Sequence, residues 1–190
     1  HVIRNGADLS LFASENSGNA DPVEAIERLR GKTIVSYVGT HGMAHGLERV
    51  LEAASLLTAR QDIHFLFVGD GAERQKLMQM AEQASSNNCT FTGQLPKSQM
   101  PYVWERSDVC LVVLRKSPTF QSVIPSKMFE CMAMAKPMIL AVEGEAASLV
   151  TQANAGICVE PENVDQLVSA IEYLAEHPEA QREMGASGAR

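Results

Sequence analysis

The sequence lacks most of the marks by which whole classes of protein are recognised. Among its 190 residues no apolar run approaches the ~20 that a membrane-crossing helix requires, so no membrane span is expected. Its four cysteines, Cys89, Cys110, Cys131 and Cys158, lie far apart, and none stands in a C-x-x-C pair. Most fall in or beside apolar runs, which fits buried reduced thiols better than a disulfide framework. Positive charge is scarce: 16 Lys and Arg against 23 Asp and Glu leave a formal net charge of -7. That balance excludes nucleic-acid binding through a broad basic face, while a local phosphate pocket stays open. No set of His, Cys, Asp or Glu has metal-ligand spacing, and H-G-M-A-H from His41 to His45 is not a zinc motif, so no metal is expected. Repeats and low-complexity tracts are missing, and the single tryptophan, Trp104, is expected in packing. The opening H-V-I-R-N-G-A-D has no charged-then-apolar signal sequence. It and the closing M-G-A-S-G-A-R read as cuts through a longer chain.

What the chain does have is 45% apolar residues, enough for a real core, laid out in alternating patterns. After a turn signal at Asn5-Gly6 and a polar loop over 14–21, residues 33–38 are β-rich and end at Gly39. From about His45, Leu47, Val50, Leu51, Ala54 and Leu57 fall on one helical face. The next strand, 64–68, is stopped by G-D-G at Gly69 to Gly71, and a helix over 72–84 follows. A short strand at 90–92, a short helix over 99–106 and a strand over 109–114 come next. A helix from Ser126 and a strand over 138–142 form the following pair. The remainder reads as a helix over 145–152, a short strand at 157–159, an amphipathic helix over 164–175 and a last helix from Pro178. Short apolar strands alternating with helices predict a doubly wound α/β domain, a parallel sheet with helices on both faces. Ligands bind such sheets beyond the carboxyl ends of the strands. Gly39, Gly69 and Gly93, at three such ends, either let a ligand approach the backbone or only make turns.

The segment S-V-I-P-S-K-M-F-E-C-M-A-M-A-K-P-M-I-L, from Ser122 to Leu140, carries the most chemistry. It reads as loop, helix and strand. Pro125 suits a first helical turn, because its missing N–H has no intrahelical partner there. Ser126 and Lys127 then stand at the helix N-terminus, where free N–H groups and the dipole favour an anion. Glu130 shares their face one turn later. A hydroxyl, an ammonium and a carboxylate at a strand-to-helix mouth fit a ligand with phosphate at one end and hydroxyls at the other, such as a nucleotide sugar. Lys127 is also readable as a solvated first-turn lysine and Ser126 as a helix cap. The methionines of this helix, Met128, Met132 and Met134, are expected in the core.

At this point the residues resemble a known family. V-G-x-x-G-x-x-x-G-L follows the first strand, V-G-D-G the second and F-T-G-Q-L the third. S-D-V-C-L-V-V-L, P-S-K-M-F-E-C-M-A-M-A-K-P and A-G-I-C-V-E-P follow in that order. Together they resemble the C-terminal, donor-binding domain of a GT-B glycosyltransferase of the large retaining family, the group 1 or family 4 type, that includes sucrose synthase. The P-S-K-x-F-E variant is similar to enzymes of polysaccharide and O-antigen biosynthesis, especially those transferring N-acetylated amino sugars. The opening R-N-G-A-D-L-S-L-F resembles the linker that enters this domain.

The resemblance implies residues 1–30 as linker and entry segment, and 31–190 as a nucleotide-sugar-binding domain, half of a GT-B fold. An N-terminal acceptor domain would lie outside this chain. It implies a nucleotide-sugar donor, most simply UDP-linked, as substrate, no cofactor, and a glycan or lipid-linked acceptor. The fragment alone would bind nucleotide without turning it over. The whole enzyme would be cytoplasmic, and on the inner membrane face if its acceptor is an undecaprenyl-type lipid. The family's base-contacting loop maps onto Gln94 and Leu95. Its glycine loop near the diphosphate maps onto Gly39 to Gly46, with Gly39, Thr40 and His41 as the contacts. The second glutamate of its E-x7-E motif maps onto Glu130, which would hold the ribose hydroxyls. The first falls at Ser122, so one carboxylate is missing. The basic pair of its G-R…K-G pattern is replaced by Thr40 and His45. Lys127 is then the group expected to stabilise the leaving diphosphate, with Ser126 beside it and Arg115 or Lys116 in reserve. His41 and His45 either touch the diphosphate or are solvated loop residues, and Glu143 and Glu145 either meet the donor sugar or solvate a loop.

Rival readings are another GT-B enzyme, such as a sugar-nucleotide epimerase or a phosphorylase, and a regulatory nucleotide-binding module. No pyridoxal-phosphate lysine is marked. A receiver-like module needs an acidic cluster after its first strand, where Gly39 stands. A dinucleotide oxidoreductase needs G-x-G-x-x-G, whereas the first loop is G-x-x-G-x-x-x-G.

Overall fold

The computed structural model describes residues 23–190. The expected turn at Asn5-Gly6, the loop over 14–21 and most of the entry segment lie outside the described residues. The elements alternate as the sequence predicts. They run α1 (Glu24–Glu27), β1 (Thr33–Val38), α2 (Leu47–Leu56), β2 (Ile63–Val68), α3 (Arg74–Gln83), β3 (Cys89–Gly93) and α4 (Met100–Arg106). Then come β4 (Val109–Val113), α5 (Ser126–Ala133), β5 (Met138–Ala141), α6 (Glu145–Ala153), β6 (Gly156–Cys158), α7 (Val164–Glu176) and α8 (Pro178–Gly188). The six strands form one sheet in the order β3-β2-β1-β4-β5-β6. Every pairing is parallel.

The two-residue side-chain period of a strand sorts the core into two faces. On β1, β2, β4 and β5, Val35, Tyr37, Phe65, Phe67, Leu111, Val113 and Ile139 point to one face. There they meet α2, α3 and α7 through Val50, Leu77 and Ile171. Cys110, Val112, Met138 and Leu140 point the other way, onto α5 and α6 through Met128, Cys131, Ala146 and Val150. Ile34, Leu66 and Val68 meet α1 and α4 on that same side. Burying a side chain the size of Phe65 or Leu111 stabilises by about 1.5–3 kcal/mol, so both faces are needed to offset chain entropy. The central strands β2, β4 and β5 are buried at every residue, while the edge strands β3 and β6 are only half covered.

Two elements depart from the sequence reading. The α1 helix was not anticipated: it is one turn long, and its signal is a lone buried face, Ile26 and Leu29, within the expected entry segment. Pro125 is not inside the first turn of α5 but caps it from outside, with extended backbone and no side-chain capping bond. The cysteines are all free. Cys110 and Cys131 are buried as expected, but Cys158 is exposed at the end of edge strand β6.

The strand ends sit at backbone-to-backbone distance. Gly39 N–H donates to Val68 O at 2.9 Å, and Gly69 N–H to Gly93 O at 2.9 Å. A Cβ on Gly69 would lie 2.0 Å from Gly39 O, and its φ of 131° is a region closed to residues with side chains. Gly69→Ala is therefore expected to destabilise the chain by about 3 kcal/mol or more, read as a lower denaturant midpoint at unchanged m-value.

Candidate functional site

The strand order reverses between β1 and β4, because the chain winds outward through β2 and β3 on one side and through β5 and β6 on the other. Loops leaving two such strands diverge, and the crevice between them is where this architecture holds ligands. The pairing of these two strands is short. β1 meets β4 only at Val35–Val109 and Ser36–Cys110, so Tyr37 and Val38 run on without a β4 partner. Gly39 and Thr40 leave β1 at this crevice, Leu114 and Arg115 leave β4, and α5 begins nearby.

Lys127 reaches from the first turn of α5 across the end of β1. Its ammonium lies 3.8 Å from the centroid of the Tyr37 ring. A Cβ on Gly39 would stand 2.8 Å from the Lys127 nitrogen, so the lysine occupies the space that this glycine leaves. The Nζ atom is buried, and among the described residues it has no hydrogen-bond partner. Burial lowers its pKa to about 8, opposed by Cys131 and Glu130. Tyr37 is held from its other end: its hydroxyl donates to Thr40 O at 2.8 Å, and burial raises its pKa.

The other expected cations are committed elsewhere. Arg115 donates through Nε to Met43 O at 2.6 Å and pairs with Glu48, and with Glu162 at 3.5 Å. Lys116 pairs with Glu160. Ser126 is exposed one residue inside α5, so Pro125 rather than Ser126 holds the cap position. Its N–H and that of Lys127 belong to the first turn, which has no intrahelical acceptor for them. Glu130 stands half-buried one turn on from Lys127. Lys127 is thus brought against Gly39 and, through Tyr37, near Thr40, with Ser126 beside it in the chain and Glu130 one turn further along α5. Ser122 ends an exposed 3-10 turn, Pro118–Ser122, on the loop before α5. Gln94 and Leu95 sit further along the rim, directly after Gly93 at the end of edge strand β3, with Gln94 exposed and Leu95 packed on the α4 side. Glu143 accepts from Gln121 Nε2 at 3.1 Å.

The histidines differ from expectation: neither is a solvated loop residue. His41 is 0% exposed, and it sits edge-on to Phe67 and Phe91 with centroids 6.3 and 6.2 Å away. Its backbone is locked into the G-D-G loop, with its N–H donating to Asp70 O at 2.8 Å and its carbonyl accepting from Glu73 N–H at 2.9 Å. A contact between this ring and a diphosphate would require the loop to open. His45 is half-buried with its ring edge toward Tyr37, and its Nδ1 lies 3.4 Å from Val113 O.

Two residues went unnoticed in the sequence. Tyr37 looks like any β-strand aromatic, and only the end of β1 shows its face to Lys127. Arg74 opens α3 with one guanidinium nitrogen 3.5 Å from where a Cβ on Gly93 would be, and its Nε is buried without a partner. Its place three residues after V-G-D-G was the one available signal.

Comparison with known proteins settles the family. The profile described as glycosyl transferases group 1 matches residues 23–190. The chain belongs to the group 1 glycosyl transferases. It is 32% identical to the colanic acid biosynthesis glycosyl transferase WcaI of Escherichia coli over 143 residues, 74% of this chain and 35% of that protein. It is 29% identical to the alpha-D-kanosaminyltransferase of Streptomyces kanamyceticus over 189 residues, 95% of this chain and 48% of that protein. The chain therefore spans about half or less of the length of these relatives. Among solved structures, Anabaena HepE in complex with UDP and glucose superposes over 100% of this chain and 50% of its own, with a TM-score of 0.76 at 20% identity. The fold is that of a C-terminal GT-B domain. Among the described residues no helix is long and apolar enough to cross a membrane.

The buried histidines give this group 1 glycosyltransferase domain a predictable acid limit. Burial lowers the His41 pKa to about 4; Arg74, Lys127 and His45 push the same way, and Asp70 opposes them. His64, which meets Thr90 Oγ1 at 2.9 Å, is lowered by burial to about 4 as well. The unfolded chain binds these protons near pH 6.5, the folded chain near 4. The stability from keeping both rings neutral is complete above about 6.5 and is lost as pH falls toward 4. Thermal melts are expected to fall across that window, and His41→Gln, which cannot take the proton, to flatten part of the decline.

Proposed function

We propose that this chain is the donor-binding part of a group 1 glycosyltransferase that moves a sugar from a nucleoside diphosphate sugar to a glycan or lipid-linked acceptor with retention. The carrying observation is the buried, unbonded ammonium of Lys127 at the β1–β4 crevice, next to the first turn of α5. An ammonium without a partner is costly to bury, and a diphosphate supplies what it lacks. As the anomeric bond breaks, negative charge builds on the leaving diphosphate. A fixed cation and free helix N–H groups stabilise it without reorganising. In this reading Lys127 and Ser126 face the phosphates, Glu130 holds the ribose hydroxyls, and Gly39 and Thr40 border the diphosphate. Gln94 and Leu95, with Arg74 beside them, border the base, and Ser122 stands where a second carboxylate would meet the sugar. The protein brings no cofactor to this step, and the nucleotide sugar is substrate.

A uridine donor is favoured by HepE, solved with UDP and glucose, and an amino sugar by the relative named a kanosaminyltransferase. The acceptor, and the residues that activate it, belong to an N-terminal domain beyond this chain. The whole enzyme is assigned to the cytoplasm, at the inner membrane face if its acceptor is lipid-linked.

Calorimetric titration with UDP, GDP and ADP tests the reading. One nucleotide is expected to bind saturably, and Lys127→Ala to weaken it at least about tenfold, since a charge-assisted bond contributes about 1.5–3 kcal/mol. Affinity is also expected to decline as pH rises through about 8, where Lys127 loses its proton, and the alanine variant to lack that step. Equal affinity in both proteins would remove Lys127 from the site.

A further inference from the structure

We infer that Tyr37 is a positioning residue for the donor, and that its ring face with the empty side-chain position of Gly39 forms a berth for the Lys127 ammonium. This rests on the donor-site reading above and adds a residue to it. The geometry is specific. Lys127 starts on α5, on one face of the sheet, while Tyr37 points into the core of the other face. The lysine must pass the end of β1 to reach the ring. It can do so only because Gly39 has no side chain, the Lys127 nitrogen lying 2.8 Å from where a Cβ would be. At the end of that path no oxygen of the described residues receives the ammonium, and the ring face lies 3.8 Å away instead.

A ring face holds a charge in place while leaving its N–H groups free to meet a ligand. It attracts a cation through the ring quadrupole, by about 0.5–2 kcal/mol according to solvation. A carboxylate there would hold the ammonium more tightly and repel a diphosphate. The ring is itself oriented, since the Tyr37 hydroxyl is tied to Thr40 O at 2.8 Å. The loop of β1 thus supplies no cation of its own, with Thr40 exposed and His41 buried and neutral. A positive charge is delivered to it from α5 across the crevice.

The test combines a resonance with an affinity, using the chain as it stands. Lys127 ε-methylene protons, identified by their absence in Lys127→Ala, are expected upfield of the other lysines in the free protein, because the nitrogen they adjoin lies over the Tyr37 ring. Tyr37→Phe is expected to keep the shift and bind UDP within about twofold of the parent. Tyr37→Leu, with folding checked by its melt, is expected to lose the shift and to bind UDP about five- to tenfold more weakly. An unshifted Lys127 in the parent overturns the inference. So does Tyr37→Leu binding UDP as well as the parent while Lys127→Ala does not, which leaves the donor-site reading standing. A shifted Lys127 in a parent that binds none of UDP, GDP and ADP supports the berth and overturns the donor-site reading.

Discussion

Six parallel strands joined only by crossovers, with the winding direction reversed once, constrain everything else in this domain. A parallel ladder cannot be closed by tight hairpins, so each strand is followed by a segment that returns over a sheet face. Both faces are therefore covered, and the inner strands are apolar on both sides. The same constraint brings the carboxyl ends of all strands, and the N-termini of the helices after them, to one rim. At the reversal between β1 and β4 the strand pairing ends early, and the loop after β1 crosses to the end of β4, where Arg115 N–H donates to Ala44 O at 2.9 Å. Gly39, Gly69 and Gly93 line that rim in succession because neighbouring loops meet there at backbone distance.

Charge at the crevice follows from desolvation. His41 and His45 are depressed by burial, and the Lys127 ammonium raises the cost of protonating either. Arg115 and Lys116 are drawn outward by Glu48, Glu162 and Glu160. Among the described residues, Lys127 is left beside this point with a buried nitrogen that meets a ring instead of an oxygen. A group in that state is poorly satisfied in the empty protein and well satisfied by an anion, which is the condition for binding energy to be spent on the ligand rather than on the fold.

The departures from the family pattern make physical sense together. With Thr40 and His45 in place of two basic residues, the β1 loop has no charge to offer. In the proposed donor site Lys127, placed by the helix start at Pro125 and Ser126, would carry that charge in from another element. Such an exchange is invisible in either motif alone, since G-T-H-G and P-S-K are separated by about half of the domain's length.

The sequence by itself determined the elements and their order, because strand and helix periods are local and Gly, Pro and apolar spacing declare them. The short apolar runs of β1 and β2 are such a pattern, and so is the stripe Leu167, Ile171 and Leu174 on α7. The start of α5, and with it the candidacy of Lys127 and Glu130, was equally legible. Helix α1 was not, since one turn has no period to detect. Only the tertiary structure decided that His41 is buried, that Arg115 and Lys116 are already paired, and that Arg74 lies on Gly93. It alone decided that the Lys127 ammonium rests on Tyr37. These are contacts between residues far apart in the chain, and burial, charge pairing and ring contact depend on what the sheet brings together, which no local pattern encodes.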